Sequence, residues 1–554
     1  HVPMPAALAV VLAGGAAGAV AVRRRAGGGG PAAPARAADW PLRVALPLAV
    51  ATLVAAIALV PVFRSGFATV HGQNGDAVIA VGVAKLLQEA PPTAVRPELP
   101  VDRMPVVWRS KVPIYSTLAA VSELAGQDPI VAFSTVAALL CGLFSLGIFL
   151  LVRLGLGFGA LPAAAAALLV PLDRIAVYVA IHPYYNQTWG LFALPFVLLV
   201  GWRALVAPSR RTFALLGVFL ALALFAYPLL LPFPAVFLAV VAWRAPRGWW
   251  AELRRIPGPR ARPAAWALAA VVAVPVVAVL VRGVAEKALS AAAVLAPWTD
   301  LGGWSGNALP YLPVGWFFAM YAPPAVAVPI VGGVLAAAVA GWRAVAAREL
   351  RAGLAAVILT GLAIGAYFYA RGQGQLFYFK ALAFTGPLVV TLAVAGLAAW
   401  WQRARRGPPR VAAALLFCAL AVALANGARQ EIDETYDHAS PSVLQLREWD
   451  RELPAGASVR IDVPQSGYQL WSWYMLAGRP VSALDPLSGF FPHPPAGRKA
   501  DYALVFMTQR RPADVIGAPL RINRQFRLYR LDPRIPGPDV STRRLIYDQS
   551  KITY

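Results

Sequence analysis

Long apolar stretches recur from Met4 to Asn426, and arginine appears at every second junction between them. An uninterrupted apolar run of about 18–20 residues is long enough to cross a bilayer as a helix. Twelve spans are expected, near residues 4–22, 44–63, 130–152, 157–172, 188–205, 212–227, 229–243, 264–283, 323–341, 353–370, 381–400 and 410–427. Basic residues mark the cytoplasmic ends of such helices. With this count, Arg23–Arg25, Arg203/Arg210/Arg211, Arg244 to Arg262, Arg343/Arg348/Arg351 and Arg403 to Arg410 all fall inside. The N-terminus and everything after Asn426 then fall outside.

Composition agrees with a membrane protein: 59% of the 554 residues are hydrophobic, only 14% are charged, and the mean hydropathy is +0.61. The formal net charge of +24 does not point to nucleic acid. The arginines cluster at helix ends, where anionic lipid headgroups attract them. Cys141 and Cys418 both lie inside apolar runs, so neither a disulfide framework nor a cysteine metal site is expected. Lysine is scarce beside arginine, alanine, glycine and proline, which reads as the coding bias of a GC-rich bacterial source. The first run, Met4–Val22, lacks a basic lead and a small-residue cleavage site, and reads as a retained helix. The segment 26–38, with GGGG and PAAP, reads as a linker.

The expected fold is an α-helical polytopic membrane protein with a small C-terminal extracytoplasmic α/β domain. Residues 1–427 form the transmembrane part, with one long outside loop at 64–129, and 428–554 form the outside domain. Within the latter, Ser458–Val463 and Asp501–Phe506 read as buried strands and Gly467–Leu476 as a helix.

The polar chemistry gathers in the outside segments. The loop 64–129 is far longer than a connection requires. Asp76 precedes Ala77–Gln88, an amphipathic-looking helix, and reads either as its N-cap or as a functional carboxylate. Further along lie Arg103, Trp108, Arg109, Lys111 and Tyr115. Cations there run against the positive-inside pattern, so they are either phosphate ligands or interfacial side chains snorkelling to headgroups. His182, Tyr184, Tyr185, Asn186, Gln187 and Trp189 read as a sugar shelf or an aromatic belt. Arg371 and Lys380 flank the outer mouth of the eleventh span. A lysine at a helix start is electrostatically unfavourable and implies an anionic partner. Trp471, Trp473 and Tyr474 read as acceptor-binding aromatics or as core. No zinc-protease, phosphate-loop, dinucleotide or nucleophile-elbow motif is present.

A long first outside loop bearing an acid, helices lying along the membrane within it, ten or more spans and a C-terminal outside domain resemble the GT-C superfamily of membrane glycosyltransferases. The pattern is most similar to actinobacterial arabinofuranosyl- and mannosyltransferases of the cell envelope. The resemblance implies an inverting glycosyltransferase moving a sugar from a polyprenyl-phosphate donor to a glycan or glycolipid acceptor at the outer face of a bacterial plasma membrane. It implies that Asp76 is the general base, that Arg103, Arg109, Lys111, Arg371 and Lys380 hold the donor phosphate, and that His182, Tyr184, Tyr185, Trp471 and Trp473 contact the acceptor. The family motif often carries a second acid. Here Ala77 follows Asp76, which counts against a divalent metal without excluding one. A lipid-linked oligosaccharide ligase or polymerase shares the same donor chemistry. A flippase or transporter is a further alternative, disfavoured because the spans hold almost no charge.

Overall fold

The computed structural model describes residues 41–65, 76–89, 112–182, 184–245, 291–301, 323–371, 373–404, 407–438, 441–464, 466–476, 481–483 and 500–537, with a few isolated positions between them. The first expected span, most of the eighth, and Arg103, Arg109 and Lys111 lie outside the described residues.

The helical part runs α1 (Leu46–Ala58), α2 (Val60–Ser65), α3 (Asp76–Glu89), α4 (Val112–Ala125), α5 (Pro129–Leu150), α6 (Ala160–Leu169), α7 (Arg174–Ile181), α8 (Tyr185–Val206), α9 (Arg210–Ala226), α10 (Pro232–Arg244), α11 (Pro324–Ala344), α12 (Arg348–Arg371), α13 (Gln375–Arg403) and α14 (Pro408–His438). Six helices among the described residues are long and apolar enough to span a membrane: α5, α8, α11, α12, α13 and α14. A seventh is obtained if α6 and α7, bent by 55° at the break between them, count as one span. The expected span over 157–172 corresponds to α6, and the structure adds α7 in the segment from Asp173 that the sequence reading left outside the spans. Asp173 caps a new helix there by accepting from the Ile175 amide at 3.3 Å, so the chain turns where the apolar run ends. Helices α1, α9 and α10 match expected spans but are only 13, 17 and 13 residues long.

Local signals explain the ends. Asp128 caps α5 by accepting from the Ile130 amide at 3.0 Å, and Pro129 supplies the φ angle of a first helical turn. Ser209 and Thr212 form a reciprocal capping box on α9. Gly374 takes a left-handed φ of +69° to start α13. In the interior, α11 crosses α13 at Gly341 and Gly396. A Cβ on Gly341 would collide with the Leu392 carbonyl, and one on Gly396 with the Ala337 carbonyl. Small residues let helix backbones touch where no hydrophobic effect drives helices together.

Helix α14 continues without a break through residue 438. It leads to α15 (Ser442–Glu452), β1 (Val459–Asp462), α16 (Ser466–Met475), β2 (Val481–Ala483), β3 (Tyr502–Phe506), β4 (Val515–Ile522) and β5 (Phe526–Leu531). The sheet order is β2-β1-β3-β5-β4. β1 pairs parallel with β2 and β3, and β5 pairs antiparallel with β3 and β4. Strand alternation sorts the core: Leu504 and Phe506 join the large cluster, while Ala503 and Val505 pack with Val515, Tyr529 and Leu531. The two strands and the helix read from the sequence correspond to β1, β3 and α16.

One end of the bundle carries this sheet, and it is called the mouth below. The Asp128 carboxylate accepts from the Tyr474 hydroxyl at 3.0 Å and pairs with Arg447 at 3.0 Å. One side chain thus caps α5 and clasps α15 and α16. Helix α16 in turn packs on α3.

Candidate active site

Helix α3 is buried on a broad face: Ala77, Val78, Ala80, Val81, Val83, Ala84 and Leu87 all lie in the core. The amphipathic reading understated this. The helix is wedged between α4, α5 and α16, with Gln88 donating to the Ala119 carbonyl at 3.2 Å. Asp76 is its first residue, so the carboxylate-bearing position opens a helix at the mouth.

Facing the same end is an apolar cleft, open to its surroundings. Tyr227, Leu229, Pro232 and Phe233 form one wall. Ala291 and Leu295 form a second, and Ile364, Phe368, Phe377, Lys380, Ala381 and Phe384 the rest. Lys380 is the one cation among the described residues of this lining. It is only 9% exposed, and its Nζ lies 5.0 Å from the Tyr227 ring centre and 5.6 Å from that of Tyr184. Two aromatic faces stabilise an ammonium. Lys380 sits one and a half turns into α13 rather than at its start, because Gly374 begins the helix earlier than the sequence reading placed it.

Arg371 is placed differently. Its guanidinium donates to the carbonyls of Val294 at 3.2 Å, Pro297 at 3.2 Å and Thr299, and lies over Tyr367. These bonds tie the 294–299 segment to the end of α12, beside the cleft wall formed by Leu295.

The aromatic segment after α7 is divided. Tyr184 lies beside Lys380 and Phe379. Tyr185 points the other way and is 2% exposed. It stacks near Tyr115 and donates to the Ile114 carbonyl at 3.3 Å, so it packs α8 on α4. His182 is buried at the end of α7, stacked on Tyr178 with 3.9 Å between centroids, and its Nδ1 lies 4.0 Å from Glu431 Oε2. Glu431 also accepts from Arg174 Nε. This buried trio joins α14 to α7 across 257 residues of sequence, which no local pattern could reveal. Trp471 is 1% exposed and packs edge-on to Tyr474, 5.8 Å away, so its ring faces inward. No group of three or more metal-ligating side chains occurs among the described residues.

Comparison with solved structures finds architectural likenesses. The chain is similar to the mycobacterial arabinofuranosyltransferase AftD, with a TM-score of 0.49 and 16% identity over 87% of this chain and 40% of that one. It is also similar to ArnT from Cupriavidus metallidurans bound to undecaprenyl phosphate, with a TM-score of 0.49 and 13% identity over 90% of this chain and 99% of that one. The chain thus spans about two-fifths of the arabinofuranosyltransferase's length. No protein-family model and no curated protein matches the sequence.

Proposed function

We propose that this chain is a GT-C-type membrane glycosyltransferase that transfers a sugar from a polyprenyl-phosphate donor to a glycan or glycolipid acceptor, with its mouth on the extracytoplasmic face. The observation that carries this reading is the cleft at the mouth: among the described residues, a wall of apolar and aromatic side chains interrupted by one buried cation, Lys380. An isoprenoid tail asks for a neutral apolar surface, and its phosphate asks for a fixed positive charge where negative charge develops on departure. Lys380 supplies that charge in a low-dielectric setting, where it acts more strongly than in water. The positive-inside distribution of arginine supports the orientation.

In this mechanism the acceptor hydroxyl attacks the anomeric carbon on the face opposite the phosphate. The bond to the phosphate oxygen breaks as the new glycosidic bond forms, and configuration inverts. Asp76 takes the hydroxyl proton as the carbon–oxygen bond forms. The helix it opens is locked by core packing on several sides. Arg103, Arg109 and Lys111 are proposed to complete the phosphate cage with Lys380, while Arg371 orders the segment that walls it. Tyr184 stands beside the ammonium as an acceptor or sugar contact.

The test is direct. Purified protein is given radiolabelled decaprenyl-phosphate arabinofuranose or mannose together with a membrane glycolipid extract. Label should move to the acceptor fraction with the wild type and not with Asp76→Asn or Lys380→Met. Absence of transfer from either donor by active-folded wild type would sink the reading.

A further inference from the structure

We infer that Gln187 is a specificity-determining residue that hydrogen-bonds the sugar carried by the lipid phosphate, an inference that rests on the function proposed above. Gln187 is 1% exposed, and neither its Oε1 nor its Nε2 has a hydrogen-bond partner. An amide offers two donors and an acceptor with two lone pairs. Burying it unbonded is costly, and native interiors rarely do so. Such a group in the third position of α8 therefore asks what it is kept for.

Its place on the helix answers. Residues of an α-helix are about 100° apart, so Gln187 faces about 200° away from Tyr185, which packs on α4. Three residues before it, Tyr184 lies beneath the Lys380 ammonium. Three residues after it, a Cβ on Gly190 would meet the Phe384 ring at 3.2 Å and Leu230 at 3.4 Å. Phe384 and Lys380 both line the apolar cleft. Gln187 thus lies on the strip of α8 between Tyr184 and Gly190, the residues that meet Lys380 and Phe384 of the cleft wall. A phosphate held by Lys380 places the first sugar ring of its ester within a few ångströms, and a sugar hydroxyl both donates and accepts. The amide matches that pair of functions. A leucine or methionine in its place would pack as well and cost less.

The class of ligand follows: a polyprenyl phosphate bearing a hydroxyl-rich ring, discriminated from the bare lipid phosphate by Gln187 and retained through Lys380. A hydrogen-bonding pocket rejects a ligand that leaves its polar groups unpaired more strongly than an apolar pocket rejects a wrong shape.

The experiment measures affinities of full-length protein in nanodiscs for decaprenyl phosphate and for decaprenyl phosphate carrying arabinofuranose or mannose. Wild type should bind at least one glycosylated lipid more tightly than the bare one. Gln187→Met should lose about 10-fold on that glycosylated lipid and stay within about 2-fold on the bare lipid. Lys380→Met should weaken both. If wild type binds the bare and glycosylated lipids equally, or if Gln187→Met leaves the preference intact, the inference is overturned while the lipid-phosphate site stands. If Gln187→Met weakens both lipids equally, the amide matters for packing alone and the inference is likewise overturned. If wild type binds no lipid phosphate at all, the proposed function itself fails. The melting temperature of Gln187→Met checks that the loss is not a folding defect: replacing an unpartnered buried amide by an apolar chain should leave it at or above the wild type's.

Discussion

In the C-terminal sheet, the buried Arg460 guanidinium donates twice to Asp462, at 2.9 and 2.8 Å, and to both oxygens of Asp514, at 2.7 and 3.1 Å. Arg479 is held the same way, by Asp450 and the Ala457 carbonyl. Among the described residues the sheet domain leaves two nitrogens without a hydrogen-bond partner, Trp471 Nε1 and Arg527 Nε, whereas the mouth leaves both ends of the Gln187 amide, one oxygen of Asp173 and one oxygen of Glu431. Desolvation penalises buried polar groups in both regions, charges more than neutral amides. The sheet meets it for Arg460 and Arg479 with internal carboxylates. The mouth keeps unmet hydrogen-bonding capacity beside an apolar cleft, and strain of that kind tends to persist where a site needs it. Changes in the two regions should therefore fail differently, in folding for the sheet and in turnover for the mouth.

The largest effect is expected at Asp76. Removing a general base costs about 10²–10⁴-fold in rate. Asp76→Asn keeps a side chain that can accept from a helix N-terminus, so α3 should stay folded. Turnover measured with saturating donor should collapse while the melting temperature holds. Near wild-type turnover would reduce Asp76 to a helix start and move the search to the other acids of the outside segments, Asp102, Asp173 and Asp300.

Next comes the sheet. Arg460→Met strands two buried carboxylates, and breaking a buried ionic network by removing one partner costs about 3–5 kcal/mol. Limited proteolysis should cut the C-terminal region far faster than in the wild type. Lys380→Met gives the mirror image. A charge-assisted bond to phosphate contributes about 1.5–3 kcal/mol, so the affinity for decaprenyl phosphate should fall about 10- to 100-fold. The melting temperature of the free protein should change little, because methionine keeps an unbranched chain of similar length in the same packing. A large loss of stability in Lys380→Met would erase the contrast between the two regions.

How much of this could be read from the sequence follows from how local each signal is. Spans such as Pro129–Gly155 and Leu376–Arg403 announce themselves by length and composition alone. The break between α6 and α7 does not, because hydropathy is blind to a bend, and the cue was the Pro171–Asp173 pair at the end of the run. Strand β3 is a buried apolar run and β1 alternates Val459 and Ile461 with charged residues, so both stood out. β4 is an exposed edge strand, mostly open to solvent and interrupted at Gly517, and it carries no hydrophobic run to find. Lys380 was legible as a cation out of place. Gln187 appeared only as one amide among aromatics, and that it lacks partners is a property of the packed structure. The pairing of Arg174 with Glu431 and the clasp at Asp128 join residues hundreds of positions apart, where a single sequence holds no trace of contact.

The smallest effect tests what joins the two regions. Tyr474 donates to the carboxylate that also caps α5, and a bond to a partly exposed carboxylate that keeps its Arg447 partner lies at the low end of about 1.5–3 kcal/mol. Tyr474→Phe removes the hydroxyl and leaves the ring packed on Trp471 and under Arg447. The sheet should stay folded and the bundle intact, yet α16 should sit less firmly on α3. Burial, and then the neighbouring Asp128 carboxylate, push the Tyr474 phenol well above its ordinary value of 10.0. The sign follows: a group whose folded pKa is raised contributes stability below its unfolded pKa and loses it as pH rises further. The wild type should thus lose clasp strength above about pH 10, and the difference between wild type and Tyr474→Phe should shrink over the same range. Hydrogen exchange on Asp76–Glu89 reads the outcome. Faster exchange in α3 with unchanged exchange in β1 and β3 would show that the clasp seats the sheet on the helix carrying Asp76. Faster exchange throughout the sheet would instead make Tyr474 one more part of the scaffold, and the mouth would owe nothing to it.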